Sequence, residues 1–316
     1  MIYTSSITGV SLRVRESAIV AGTAWLWCSP EMRNSVDVLV IDEAGQFSLA
    51  NALAVSVSTD SLVLLGDPQQ LAQPSQGSHP TGAEASALEH LLDGEETVPP
   101  ELGLFLDETW RLPPTVTAFT SEYFYSGRLR SQADCVAQTL RSRSPNLSGA
   151  GLFFEPVEHH GNVNCSEEEA LRVSEIVTDL LSSRSTWVDR AGKEHPLALK
   201  DILLVAPYNL QVQYIAQTLD DAGFPDARVG TVDKFQGQEA PVVIYSMATS
   251  DAEDAPRGFD FLFSLNRLNV ATSRTQAVVI IVGSPRLLEA DCKTPKQMRL
   301  VNGFCGAVEA AAAGRT

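Results

Sequence analysis

The amino-acid sequence predicts an α/β fold in which parallel sheets are flanked by helices. Short apolar runs alternate along the chain with longer segments whose apolar residues recur at helical spacing. This alternation favours parallel pairing, because the chain must cross over between neighbouring parallel strands, usually through a helix. The length of 316 residues, with 44% hydrophobic residues, exceeds what one core usually organises, so two domains are expected.

The individual elements follow from the same patterns. Helices are predicted over Thr115–Tyr125, Glu167–Leu181 and Asn209–Ala222, where apolar residues fall on one helical face. The apolar runs predict strands over Val36–Ile41, Ser61–Leu65, Leu104–Leu106, Gly151–Val157, Asp201–Val205, Pro241–Tyr245 and Ala277–Val282.

The domain boundary is expected near Asp107–Pro114. Pro113 and Pro114 prevent a helix from continuing through this segment from the preceding residues. Two later segments, Gln132–Ser148 and Arg184–Leu197, have the polar composition of a surface excursion and of an exposed hairpin or loop. The predicted domains are therefore residues 1–112 and 113–306, followed by a flexible tail over 307–316.

The composition indicates a soluble, cytoplasmic protein. Five cysteines are scattered without CxxC pairs, which argues against a metal or disulfide framework and favours a reducing compartment. No apolar run is long enough for a signal sequence or a membrane span. The net charge of -16 opposes binding of nucleic acid by bulk attraction, so such binding would need a locally basic path.

Two adjacent carboxylates, Asp42 and Glu43, follow the predicted strand in VDVLVIDEAGQ. The carboxyl ends of strands in α/β sheets are where ligands bind. In nucleoside triphosphatases an acid at this place holds magnesium, and a neighbouring one orients the attacking water. An isolated Asp-Glu pair is more often a solvated strand end, and it is the next motif that favours the functional interpretation.

A second apolar strand ends in a Gly-Asp-Pro turn within SLVLLGDPQQL. Together the two motifs strongly resemble superfamily 1 helicases of the 5′-to-3′ branch, which includes the nonsense-mediated-decay helicase. The resemblance implies two RecA-like domains that bind ATP and Mg²⁺ between them. It assigns Asp42 to magnesium, Glu43 to the attacking water, and Gly66, Asp67 and Gln70 to the motif that senses the γ-phosphate.

Two arginines are predicted to stabilise the transferred charge. Arg111 lies in ETWRLPP at the expected domain junction, where a guanidinium could reach a developing phosphate charge. Arg274 lies in NRLNVATSRT, which resembles the last motif of the family, and is expected on one helical face with Asn266, Val270 and Ser273. A surface ion pair for Arg111 and a helix-capping role for Arg274 are the alternatives.

The segment TVDKFQGQE also matches the family closely. The resemblance assigns Thr231 to nucleic-acid phosphates, and Gln236, Gly237 and Glu239 to the nucleotide. Asp233 is equally compatible with a plain solvated turn.

Two weaker motifs suggest further nucleic-acid contacts. Thr23, in AGTAW, is placed like a family residue that touches a backbone phosphate. Tyr208, in APYNLQVQ, could stack on a base, although a half-buried tyrosine at a strand end is at least as compatible with the sequence.

A phosphate-binding GxxxxGK[ST] loop does not occur in the sequence. The one Gly-Lys pair, Gly192-Lys193, is followed by Glu194. With the family layout, the loop and its strand and helix would precede Met1, so the first domain is expected to be incomplete and the chain to be a carboxyl-terminal portion. The phrases VDKFQGQEAPVVIYSMATS and FLFSLNRLNVATSRT look most like bacterial proteins that carry an amino-terminal RecB-like nuclease domain.

The resemblance therefore implies part of an ATP-dependent helicase that moves along single-stranded nucleic acid, DNA in preference to RNA. Its partners would be that strand and an amino-terminal nuclease domain, without a membrane. The chain by itself is expected to be inactive, because the phosphate loop both positions the nucleotide and binds its metal. The alternative is a non-catalytic, helicase-like module that binds nucleic acid or a protein.

Overall fold

The computed structural model describes residues 2–3, 19–71, 85–144, 147–235 and 237–314. The chain divides into two compact units, Met1–Phe105 and Leu106–Thr316. The division falls just before the segment Asp107–Pro114, where the boundary was expected, and Arg111 lies in the second unit. The prolines at 113 and 114 start a helix of the second unit, because proline is well suited to the first helical turn.

The first unit is a small α/β assembly. Its strands are β1 (Ile2–Tyr3), β2 (Val20–Ala21), β3 (Leu39–Ile41) and β4 (Leu62–Leu64), and its helices are α1 (Ala24–Trp27), α2 (Leu49–Val55) and α3 (Ala87–Leu92). Parallel pairing joins β3 to β4, with Leu39 opposite Leu62. The core beneath them contains Trp27, Met32 and Ile41.

The predicted strand over Leu104–Leu106 is wrong. The structure assigns no strand there, and the side chains of Leu104 and Leu106 are 90% and 85% exposed. A short apolar run forms a strand only when a neighbouring strand completes its hydrogen bonds, and this segment has no such neighbour among the described residues.

The second unit is built on a parallel five-stranded sheet whose strands lie in the order β12 (Arg228–Thr231), β11 (Ile202–Ala206), β13 (Ala240–Ser246), β14 (Thr275–Gly283) and β8 (Gly151–Pro156). This confirms the predicted α/β class. Almost every residue of the three central strands is buried, as expected when helices cover both faces of a parallel sheet.

Helices pack on both faces of this sheet. On one face, α5 (Glu167–Ser182) and α6 (Asn209–Asp221) join the same buried cluster as Phe153 of β8. The next residue, Phe154, contacts Phe304 of α9 (Pro295–Ala313) edge to face at 6.4 Å, so α9 covers the other face. The remaining helices of this unit are α4 (Pro114–Phe124), α7 (Phe259–Leu262) and α8 (Leu265–Thr272).

Two segments differ from the sequence prediction in how far they are packed. The segment 132–148 contains strand β7 (Thr139–Arg141), and Cys135 and Leu140 are fully buried, so it is only partly a surface excursion. The expected flexible tail is helical as far as Ala313, because Ala307 and Ala311 are buried on the inner side of α9.

The segment 184–197 forms the predicted hairpin. Its strands β9 (Thr186–Val188) and β10 (Glu194–Pro196) pair antiparallel, and β9 also pairs with β7. Gly192 lies in the turn with a φ of +76°, which suits glycine. The Gly192-Lys193 pair is therefore part of a hairpin turn and not of a loop between a strand and a helix. A short parallel pair, β5 (Glu108–Thr109) and β6 (Arg130–Ser131), precedes and follows α4.

Candidate functional site: two strand ends in the first unit and two sheet edges in the second

In the first unit, the two acidic motifs meet at one sheet edge. Because β3 and β4 are parallel, Asp42 and Asp67 follow the same ends of neighbouring strands. The backbone joins the two strand ends directly: Leu65 N donates to Ile41 O, and Ala44 N donates to Leu65 O, each at 2.8 Å. The sequence-predicted pairing of these motifs is therefore present in the structure.

The contact between the two strand ends is too close for larger residues. A Cβ atom on Gly66 would lie 2.8 Å from Ala44 N and 2.9 Å from Gly45 N, and a Cβ atom on Gly45 would lie 2.8 Å from Asp67 O. All of these neighbours are backbone atoms, which cannot rotate away. Glycine is thus required at both positions for the motifs to touch.

Glu43 is held in an unusual backbone conformation. Its φ of +53° lies in the left-handed region, which costs a residue with a side chain roughly 1 kcal/mol or more. The conformation turns the chain sharply after β3, and Glu43 N donates to Asp42 Oδ1 at 3.0 Å. Both carboxylates are exposed to solvent.

Asp67 organises the turn after β4. Its Oδ1 accepts from Gln69 N at 2.9 Å, and its Oδ2 accepts from Gln70 Nε2 at 3.0 Å. The predicted sensor Gln70 is therefore oriented by a carboxylate of its own motif. Carboxylate oxygens exposed at adjoining strand ends are the donors that Mg²⁺ prefers, so Asp42 fits the predicted metal-binding role.

Thr23, the residue of the first unit that was predicted to contact a nucleic-acid phosphate, lies immediately before α1. It occupies the N-cap position with an extended ψ of 165°, yet its side chain makes no capping hydrogen bond. The side chain is exposed.

In the second unit, Arg111, Glu239 and Ser273 form one cluster. Arg111 Nε donates to Glu239 Oε2 at 2.6 Å, and Arg111 Nη1 donates to the carbonyl oxygen of Ser273 at 3.2 Å. Gln276 Nε2 donates to the other Glu239 oxygen at 2.8 Å. Three motifs that the resemblance assigned to the nucleotide are therefore in direct contact. The surface ion pair named as the alternative for Arg111 is also real, and its partner is itself a predicted site residue.

Arg274 lies next to this cluster but not on a helix. Helix α8 ends at Thr272, Ser273 is its C-cap, and β14 begins at Thr275. The predicted helical face therefore holds for Asn266 and Val270 but is wrong for Ser273 and Arg274. The chain leaves the helix there because Arg274 O already accepts from Ala240 N at 3.0 Å, at the start of β13. The Arg274 side chain is buried.

These contacts define the amino-terminal edge of the sheet. Glu239 directly precedes β13 and Arg274 directly precedes β14, and the two strands are neighbours. Gly237, with a φ of +75°, provides the turn before β13. Gln236 lies outside the described residues.

The residues predicted to contact nucleic acid lie at the opposite edge. Ala206 and Thr231 are paired at the carboxyl ends of β11 and β12, so Tyr208 and Thr231 emerge side by side. Thr231 is half-buried, whereas Tyr208 is buried and its ring lies 5.4 Å from that of Phe261. This arrangement favours the alternative given for Tyr208, a packed tyrosine at a strand end, because a ring covered in this way offers no open face to a base.

Sequence reasoning missed a group of charged and aromatic residues at this same edge. The guanidinium carbons of Arg257 and Arg267 lie 3.9 and 4.4 Å from the centre of the Phe261 ring. Arg267 also pairs with Asp233, two residues after Thr231, at 3.1 Å. No pattern in the sequence distinguishes Arg257 from other exposed arginines, and nothing in the sequence places Arg267 against the same ring.

A buried polar network beneath this edge was also missed. Glu169 of α5 accepts from Ser246 Oγ at 2.6 Å and from Ala248 N at 2.9 Å, and its other oxygen lies 2.9 Å from His159 Nε2. His159 Nδ1 lies 2.7 Å from Ser250 Oγ. The side chains of His159 and Glu169 have no exposed surface, so this group fixes the chain after β13 and does not offer a reactive centre to solvent.

Two further findings concern metals and membranes. Within the described ranges, no group of three or more His, Cys, Asp or Glu side chains is arranged to hold a metal ion. None of the helices in the described part of the chain combines the length and apolarity needed to cross a bilayer.

Comparison with known proteins identifies the family. A model of the AAA domain family matches residues 83–286, more than half of the chain. The putative helicase mov-10-B.1 of Danio rerio is 30% identical over 285 residues, which covers 80% of this chain and 28% of that protein. The regulator of nonsense transcripts 1 homolog of Neurospora crassa is 26% identical over 268 residues, which covers 79% of this chain and 23% of that protein.

Among solved structures, an arterivirus nonstructural protein 10 helicase in complex with DNA matches with a TM-score of 0.43 and 13% identity, covering 90% of this chain and 46% of that chain. The chain spans less than a third of the length of the two curated relatives. The matched family and the similarity to these relatives, together with the motifs assembled at the strand ends, show that the chain belongs to the AAA domain family and is of the superfamily 1, nonsense-mediated-decay type of helicase.

Proposed function

We propose that the chain is part of an ATP-dependent motor that moves along single-stranded nucleic acid. The observation that carries the proposal is the cluster at the amino-terminal edge of the second-unit sheet. There Arg111 contacts both Glu239 and Ser273, and Arg274 follows directly. Three sequence-distant motifs converge on Arg111, and a guanidinium held in a fixed direction is suited to stabilise a developing phosphate charge.

Each site residue has a chemical role in this proposal. Asp42 holds Mg²⁺ and Glu43 positions a water molecule, both from the end of β3. Gln70, oriented by Asp67, responds to the terminal phosphate. When bound, ATP with Mg²⁺ supplies the phosphoanhydride bond whose hydrolysis releases free energy. Glu239 keeps the Arg111 guanidinium in place until a phosphate competes for it.

The two edges of the second-unit sheet support coupling between nucleotide and nucleic acid. Helix α8 runs from Arg267 near the carboxyl-terminal edge to the Ser273-Arg274 turn at the amino-terminal edge. The segment from Thr231 to Glu239 connects the same two edges. Both motifs therefore have one end at the proposed nucleotide side and one end at the proposed nucleic-acid side.

The nucleic acid is proposed to be single-stranded, with DNA preferred to RNA, and an amino-terminal nuclease domain is the proposed partner in the full-length protein. Thr23 and Thr231 would contact phosphates. Tyr208 is not given a stacking role, because its ring is buried against Phe261.

A binding experiment tests the nucleic-acid part of the proposal. Fluorescence anisotropy of a labelled single-stranded oligonucleotide, titrated with the purified chain at several salt concentrations, is expected to show binding that weakens as salt rises. A non-catalytic nucleic-acid module would give the same result, so ATP turnover is measured as well. Absence of binding at low salt would contradict the proposal.

We expect negligible ATP turnover by this chain, because its sequence contains no GxxxxGK[ST] segment. Release of phosphate is measured with and without Mg²⁺ and single-stranded DNA, with Glu43→Gln as the matched variant. Magnesium-dependent turnover that Glu43→Gln abolishes would show that the chain is active without that loop, and would overturn the expectation.

A further inference from the structure

The carboxyl-terminal edge of the second-unit sheet carries two arginines on one aromatic ring. The Phe261 ring lies 3.9 Å from the guanidinium carbon of Arg257 and 4.4 Å from that of Arg267. At these distances a guanidinium is attracted to the negative face of the ring. The ring therefore restrains both side chains, and an arginine that is already restrained loses less conformational entropy when it binds a ligand.

This group lies among the residues that the sequence assigned to nucleic acid. Phe261 packs on Tyr208, and Arg267 pairs with Asp233, which follows Thr231. It therefore adjoins the carboxyl ends of both β11 and β12.

The two arginines differ in how their charge is balanced. Arg267 forms an ion pair with Asp233, and its side chain is only 16% exposed. Arg257 is exposed, and the structure shows no ion pair for it within the described residues. Arg267 is therefore suited to hold Phe261, whereas the Arg257 guanidinium presents an uncompensated positive charge to solvent.

Most acidic side chains near Arg257 in the sequence are already engaged elsewhere. Asp251 pairs with Arg286 at 2.6 Å, and Asp260 pairs with Lys296 at 2.5 Å. Glu253 Oε1 accepts from Asp291 N at 3.2 Å. Of this group, Asp254 is the one carboxylate for which the described residues provide no partner. In a chain of net charge -16, Arg257 is thus a single positive charge that none of these carboxylates pairs with, and a local contact to a phosphate backbone could use it.

We propose that Arg257 binds the phosphodiester backbone of single-stranded nucleic acid and that Phe261 is the residue that positions it. The planar guanidinium can donate two parallel hydrogen bonds to one phosphate while it remains stacked on the ring, which a lysine cannot do. This inference rests on the proposed function and adds a contact that the sequence motifs do not contain.

The test measures binding of labelled oligo-dT and oligo-rU to the chain by anisotropy over a range of salt concentrations. For Arg257→Gln we expect about a tenfold loss of affinity at low salt and a shallower salt dependence, with about 0.7 fewer ions released. Arg257→Lys should keep the salt dependence and lose part of the affinity. Phe261→Leu should behave like Arg257→Lys, because the charge remains but its support is removed.

Arg130→Gln is the matched control, since this arginine is 78% exposed and lies 3.9 Å from Asp107 in a different part of the same unit. It should bind like the unmodified chain, and circular dichroism should show that all variants are folded. A similar loss on oligo-dT and oligo-rU supports a backbone contact, whereas a loss confined to one polymer would overturn it.

The outcomes separate the two proposals. If the unmodified chain binds and Arg257→Gln binds equally well with the same salt dependence, the Arg257 contact is wrong while the proposed function stands. If the unmodified chain does not bind at low salt, both are wrong.

Discussion

Arg111 Nε lies 2.6 Å from Glu239 Oε2, although the two residues are 128 positions apart in the sequence. Their side chains are 33% and 46% exposed. An ion pair with this much solvent access contributes little to stability, typically 0 to about 1 kcal/mol, because water screens it. Its structural effect is to fix the direction of the Arg111 guanidinium.

The first prediction follows from this exposure. Glu239→Gln should lower the free energy of unfolding by less than about 1 kcal/mol, measured by urea denaturation. Glu175→Gln, which removes a comparably exposed partner of Arg172, is the control. A loss of about 3 kcal/mol or more would mean that Glu239 holds the fold together and is not mainly a positioning residue.

The second prediction concerns the contact between the acidic motifs. Gly66→Ala should destabilise the first unit by about 1–3 kcal/mol, because its Cβ atom would lie 2.8 Å from the Ala44 backbone nitrogen. Gly314→Ala is the control, since the nearest atom to its added Cβ would lie at an ordinary 3.7 Å. Limited proteolysis of the first unit measures the effect, and equal resistance of both variants would contradict the prediction.

The third prediction separates strain from chemistry at Glu43. Glu43→Gly should stabilise the first unit by about 0.5–1 kcal/mol, because glycine adopts a φ of +53° without a steric penalty. Glu43→Gln should leave stability unchanged, since glutamine carries the same backbone restriction. Thermal unfolding compares the two variants. If both are stabilised equally, the charge and not the backbone is the source of the effect.

The fourth prediction concerns the buried network around Glu169. Glu169→Ala should cost about 3–5 kcal/mol, because it leaves His159, Ser246 and the Ala248 amide without their buried partner. Glu167→Ala, an exposed position in the same helical turn, should change stability by less than about 0.5 kcal/mol. Urea denaturation of both variants provides the comparison, and similar midpoints would show that the network is dispensable.

The fifth prediction is a pH dependence of the β9–β10 hairpin. The hydrogen bond from His195 holds the pKa of Asp189 below its ordinary value of 3.8, and the Lys193 and Ala191 amides act in the same direction. A carboxylate whose pKa is lowered on folding stabilises the fold above its unfolded pKa, and this contribution is lost as pH falls through the folded pKa. The hairpin should therefore loosen as the pH is lowered below about 4.

The indole resonance of Trp187, which stacks on His195 at 4.9 Å, reports this change. Asp189→Asn should remove the acid transition of that resonance. If the transition persists unchanged in Asp189→Asn, another group controls it.

Much of the fold follows from local pattern. The predicted helix over Glu167–Leu181 starts at the residue expected and ends one position later, because its apolar face and its Ser166 cap both act within a few residues. Four strands of the five-stranded sheet, β8, β11, β13 and β14, begin and end within two residues of their predicted limits, whereas β12 was not predicted. By contrast, the run Leu104–Leu106 has the same apolar character and forms no strand, since pairing depends on residues distant in the sequence.

In the candidate site, too, the sequence pattern predicts some contacts and not others. Motif spacing predicted that Asp42 and Asp67 would share a sheet edge, because two parallel strands impose it. It could not predict the contact between Arg111 and Glu239, which depends on how α4 and β13 are arranged in space. The Arg257–Phe261 contact was missed for a different reason, since no pattern distinguishes a stacked arginine from any other exposed one.

The exposed side chains on the strands of the first unit affect how this protein would unfold. Val40 of β3 and Val63 of β4 are 53% and 42% exposed, and Leu65, directly after β4, is 48% exposed, although strands of parallel sheets are normally covered on both faces. A unit with so much uncovered apolar surface gains less from the hydrophobic effect than the second unit does. On heating, the first unit should therefore unfold before the second unit does. Its unfolded strands would then be the region where chains begin to aggregate.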